Sequence, residues 1–69
     1  MVLTLGDLKF LMELKAAGDL GRNVRELGIR AILDRLVKGG YLVGRPTDGL
    51  SVQYRITQRG RDAIFEHDS

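Results

Sequence analysis

The sequence predicts an α+β fold that is mainly α: three helices, a two-stranded β-hairpin and a C-terminal helix, in a single domain covering residues 1–69. Three observations lead there. Apolar residues recur at helical spacing as far as Val37. Val52, Tyr54 and Ile56 then alternate with Gln53 and Arg55, the period of a half-buried strand. Between these patterns, Gly28, Gly39-Gly40 and Pro46-Thr47-Asp48-Gly49 punctuate the chain with turn chemistry. A single core of this size supplies only about 3–5 kcal/mol without a staple.

The first helix is expected over residues 5–17. Thr4 and Asp7 form an [ST]-x-x-[DE] start signal, and Gly18 is placed to end the helix in a left-handed conformation. Leu8, Leu11 and Met12 lie along one side and Phe10, Leu14 and Ala17 along another. That apolar face is wider than one core contact requires, which points to packing against the last helix or a second subunit. A short second helix is expected over residues 20–27, capped by Asp19, with Leu20, Val24 and Leu27 as a narrow apolar stripe. Gly28 then reads as a break, because Leu27 would fall opposite the core face of the next helix. The third helix, residues 29–38, places Ile29, Ile32, Leu33, Leu36 and Val37 on one side. Gly39-Gly40 closes it, with Tyr41 making the accompanying apolar contact.

Strands are expected over residues 41–45 and 51–56, joined by the 46–49 turn into a hairpin with one wet side. Thr57 caps a final helix reaching about Glu66, where Ala63 and Ile64 can meet the first helix. Gly60 weakens that helix by up to ~1 kcal/mol, so tertiary packing must hold it.

Charge is unevenly divided. Residues 22–61 carry nine basic side chains against Glu26, Asp34 and Asp48, a net +6, whereas residues 1–21 sum to −1 and residues 62–69 to −3. A segregated basic region is the electrostatic footprint of a nucleic-acid binder. The absence of cysteine excludes thiol catalysis, cysteine-ligated zinc and iron–sulfur clusters. No apolar run approaches the ~20 residues of a membrane span, and the N-terminus lacks a signal-peptide pattern, so a cytoplasmic location is expected. Scattered carboxylates without a nearby serine or histidine form no catalytic constellation. His67, near the terminus, reads as solvent-exposed, and Tyr41 and Tyr54 as core or hairpin packing. No enzyme activity, cofactor or metal is expected.

The stretch from Leu33-Asp34-Arg35-Leu36 through Gly39-Gly40-Tyr41-Leu42-Val43-Gly44-Arg45 resembles the end of the recognition helix and the first wing strand of bacterial winged helix regulators. Tyr54-Arg55-Ile56-Thr57-Gln58-Arg59-Gly60 resembles their second wing strand running into a final helix. The MarR and PadR groups of transcriptional regulators are the nearest comparison, and the two matches cover about half the chain. One departure is a helix-turn-helix connection compressed to little more than Gly28, where about 3–4 residues are usual.

The resemblance implies a winged helix-turn-helix domain binding double-stranded DNA, with the 29–38 helix in the major groove and the 41–56 hairpin on the backbone. Ala31, Asp34, Arg35 and Lys38 then lie opposite the core face, with Arg30 at its flank. Arg30 and Arg35 are candidates for base edges, since a guanidinium can bond guanine O6 and N7 together. Arg25, Lys38, Arg45 and Arg55 suit phosphates. Asp34 opposes phosphate unless it accepts from a cytosine amino group or pairs with Arg30 or Lys38 at i, i+4. A homodimer through the first and last helices is implied, without a small-molecule effector domain. The competing reading is a protein-interaction module on the same scaffold.

Overall fold

Thr4 and Asp7 start the first helix as their spacing predicts. The Thr4 hydroxyl accepts from the Asp7 amide and the Asp7 carboxylate accepts from the Thr4 amide, which satisfies two otherwise unpaired donors. In the computed structural model, which describes residues 3–47 and 49–68, this helix is α1, Leu5–Ala17. Asp48 of the hairpin turn and the side chain of His67 lie outside the described residues. A 3-10 turn, Gly18–Leu20, follows, then strand β1 (Arg22–Val24), helix α2 (Leu27–Lys38), strands β2 (Leu42–Pro46) and β3 (Val52–Ile56), and helix α3 (Gln58–Asp68). The fold is α+β and mainly helical. Among the described residues no helix is long and apolar enough to cross a membrane.

The expected second helix is not there. Gly18 and Gly21, at φ 66 and 63, bracket the 3-10 turn, and the chain leaves Gly21 extended. Residues 22–24 instead pair antiparallel with β3, Arg22 opposite Tyr54 and Val24 opposite Val52. The physical reason lies in the stripe itself: of Leu20, Val24 and Leu27 only Val24 is buried, and Leu20 stays 82% exposed. An eight-residue helix with one apolar anchor is marginal, whereas the free edge of β3 offers a ladder of backbone partners.

Gly28 is accordingly no break. It occupies the second position of α2, where an added Cβ would meet little and glycine costs least. Leu27 does fall opposite the core face, and the helix simply leaves it 73% exposed. The hairpin of β2 and β3 forms in the register Leu42↔Ile56 to Pro46↔Val52, but with β1 it makes a three-stranded antiparallel sheet of order β1-β3-β2.

The other end of α2 follows expectation. Gly40, at φ 83, donates to the Val37 carbonyl while Tyr41 donates to that of Leu36, a Schellman closure with buried Tyr41 and Leu36 as its apolar pair. Thr57 caps α3, its hydroxyl accepting from the Gly60 amide and donating to the Gly40 carbonyl. Gly60 is there for proximity: a Cβ would stand 2.4 Å from the Tyr41 carbonyl oxygen. The core gathers Leu8, Leu11 and Leu14 of α1, Leu33 and Leu36 of α2, Leu42, Tyr54 and Ile56 of the sheet, and Ile64 of α3. The opposite face of the sheet carries Asn23, Val43, Arg45, Gln53 and Arg55, because directly paired residues share a face.

Candidate functional site

The strands alternate, so the side chains of Tyr54 and Ile56 enter the core and Arg55 does not. In α2 the buried Leu33 and Leu36 dictate an opposite stripe, on which Ala31, Asp34, Arg35 and Lys38 are all exposed. Arg30 is half-buried at the flank. These exposures match the positions the sequence assigned. The chemistry of the eight candidates, however, divides them into two groups.

Three are used inside the molecule. Arg30 Nη1 donates to the Leu50 carbonyl at 3.0 Å, which ties the first half of α2 to the turn between β2 and β3. Its Nε is buried without a partner. Asp34 accepts from the hydroxyl of fully buried Tyr54 and forms neither of the expected i, i+4 pairs with Arg30 and Lys38. The reason is competition: a buried phenol that found no acceptor would lose about 1–3 kcal/mol, more than a surface ion pair returns. Burial, then the bond to Asp34, raises the Tyr54 pKa above its ordinary 10.0, and Arg30 beside it opposes the shift. Arg35 Nη2 bonds the Asp7 carboxylate, which is only 1% exposed, while the arginine side chain itself remains 51% exposed. Asp7 thus caps α1 and anchors α2 at once.

The other basic candidates are Arg25, Lys38, Arg45 and Arg55. All are exposed, and among the described residues none makes a side-chain hydrogen bond or ion pair. Arg25 follows β1 and lines a shallow cleft with residues 49–51 of the turn, the same turn that Arg30 holds. Arg45 stands opposite Gln53 and Arg55 opposite Val43, so both arginines occupy the outer sheet face, on which no carboxylate lies among the described residues. Gln53 is itself anchored, donating to the Leu20 carbonyl.

Sequence reasoning missed the Asp7–Arg35 and Asp34–Tyr54 contacts. Their partners lie 28 and 20 residues apart, beyond any local pattern. It also missed Arg59, whose Nε donates to the Gly39 carbonyl and whose guanidinium carbon sits 4.9 Å from the Tyr41 ring centroid. Both tyrosines are core residues, as expected. Among the described residues no cluster of three or more histidine or carboxylate side chains could hold a metal ion.

The chain belongs to the DUF3860-like family, whose pattern matches residues 4–66. No curated protein and no solved structure matches it.

Proposed function

We propose that this DUF3860-like domain binds double-stranded DNA as a small transcriptional regulator, with α2 in the major groove and the β2–β3 hairpin as a wing on the backbone. One observation carries the reading: within the basic middle of the chain, Arg25, Lys38, Arg45 and Arg55 are exposed cations with no internal partner among the described residues. Cations left unneutralised on a preformed frame are what phosphate contacts require. The Arg30–Leu50 bond supports the reading as well, since it holds the wing turn to the helix before any DNA arrives. In this reading the winged helix is a variant, with β1 in place of the expected second helix and β1 serving as the third strand of the wing sheet.

The roles follow from the contacts. Arg25, Lys38, Arg45 and Arg55 neutralise phosphates. Arg35 keeps donors free beyond the one given to Asp7, and a guanidinium oriented by a carboxylate is the better base reader. Ala31 offers a methyl for a thymine methyl. Asp34 is held by the Tyr54 hydroxyl, which fixes its carboxylate on the core side of the helix contact instead of leaving it to an i, i+4 cation.

The test is a titration of labelled duplex DNA at rising salt. Four phosphate contacts give a slope of log K against log salt of about −4 for one copy of the domain. Binding that is absent at low salt, or that survives the R25A/K38A/R45A/R55A variant unchanged, removes the proposal. Sequence selectivity is read separately, with Arg35→Lys expected to lower discrimination among a pool of duplexes by about 1–3 kcal/mol.

A further inference from the structure

Helix α1 buries Leu8, Leu11 and Leu14 and turns a second apolar stripe outward. Leu5, Met12 and Ala16, at i, i+7 and i+11, are all exposed, Leu5 by 77% and Met12 by 52%. Together with Leu8, Lys9 and Glu13 they line a shallow hollow of about 420 Å³. At 100° per residue, Lys9 and Glu13 both fall on one flank of this stripe, four residues apart. Neither α3 nor the sheet covers this face, since Leu5, Met12 and Ala16 all stay exposed.

We infer that a second copy of this chain docks on this stripe, α1 against α1, antiparallel about a two-fold axis near residues 10–11. The charges select this occupant. When two identical helices meet antiparallel, each flank meets the same flank of its partner, so Lys9 of each copy faces Glu13 of the other. Parallel pairing would set this flank against the opposite one, which carries Leu8 and Lys15 and no carboxylate to meet Lys9. The same register brings Leu5 over the small Ala16 of the partner, which allows close approach, and places Met12 near the axis. Glu13 holds Arg22 through Oε2 at 3.2 Å, and its second oxygen stays free to accept from the partner's lysine. A two-fold interface is self-complementary by construction, and this stripe meets that condition.

The contact spans one helix of 13 residues, about 20 Å, so the dimer is a weak one that a shared ligand would strengthen. That last point rests on the DNA reading: two-fold related α2 helices would address inverted half-sites. The dimer itself does not depend on it.

Sedimentation velocity of the full chain tests the inference. Wild type at high protein concentration is expected at twice the 7.7 kDa chain mass, and Met12→Glu, at an exposed position, at the single mass with unchanged unfolding. Lys9→Glu and Glu13→Lys are each expected to lose dimerisation at least tenfold. Their equimolar mixture is expected to regain it, because the all-acidic flank of the first variant then meets the all-basic flank of the second. A monomeric wild type, or single charge variants that dimerise as well as wild type, overturns the inference. A monomer that still binds DNA overturns the dimer alone, and a dimer that binds no DNA overturns only the DNA reading.

Discussion

The arginines of α2 and those of the outer sheet face differ in what they can reach. Arg30 and Arg35 project from a helix packed on the core, where the Leu50 carbonyl and the Asp7 carboxylate stand within bonding distance. Arg45 and Arg55 project from a sheet face whose other residues are Asn23, Val43 and Gln53. That surface offers them no anion among the described residues, and their full charge stays available to a partner. A basic stretch of sequence therefore divides in two: some of its cations join the frame together, and Arg25, Lys38, Arg45 and Arg55 stay exposed without an internal partner among the described residues. Stability measurements and salt titrations should separate the two groups.

The largest expected effect is at Asp7. Asp7→Ala removes the carboxylate half of the α1 capping box, leaves the Thr4 hydroxyl on the residue 7 amide, and strands Arg35 in the same step, and should lower unfolding free energy by about 2–3 kcal/mol. The figure stays below that of a fully buried pair because Arg35 is half-exposed and remains hydrated. Chemical denaturation measures it, and a loss under about 0.5 kcal/mol would show that the contact does not organise the α1–α2 junction. Next comes Tyr54→Phe, which keeps the ring but leaves Asp34 without its donor; about 1 kcal/mol is expected. Arg45→Ala and Arg55→Ala, by contrast, should change stability by no more than about 0.5 kcal/mol. On DNA the order reverses. Each sheet variant is expected to reduce the salt slope by about one, whereas Tyr54→Phe leaves it unaltered. A sheet arginine that proves as costly to stability as Asp7 would erase the division between frame and ligand cations.

The smallest effect is a pH dependence. The folded pKa of Tyr54 is raised above the ordinary 10.0 by burial and by its bond to Asp34, so the folded state holds this proton more tightly than the unfolded chain does. Its contribution is fully present below pH 10 and is lost as pH rises through the folded value. Wild type should then lose stability above pH 10 more steeply than Tyr54→Phe. Parallel curves for the two proteins would remove the buried phenol from the account.

Much of this could be read from residue patterns, and the limits have physical causes. The Thr4-x-x-Asp7 start, the Gly39-Gly40 closure, the Thr57 cap and the alternation of residues 52–56 are local signals, each decided by groups a few residues apart, and each appears in the structure. The exposed stripe of α2 was legible for the same reason, since the buried Leu33 and Leu36 leave only one other side. Residues 20–27 failed because their apolar spacing suits a helix, while the free edge of β3, nearly 30 residues later in the chain, suits a strand. No local propensity reports on that edge. The candidate site behaved likewise: exposure at seven of its eight positions, and the flank position of Arg30, were foreseeable, but which cations already had partners was not.

Residue order alone thus specified the element boundaries marked by Thr4, Gly39-Gly40 and Thr57, the core faces of α1 and the 29–38 helix, and the concentration of basic charge in the middle of the chain. These depend on geometry within one or two turns of backbone. It took long-range packing to make residues 22–24 the third strand, to set Arg35 on Asp7, and to let Tyr54 claim Asp34 from its helical neighbours. Those outcomes turn on competition among distant partners for a few buried donors and acceptors, and the strongest partner is known only once the chain has folded.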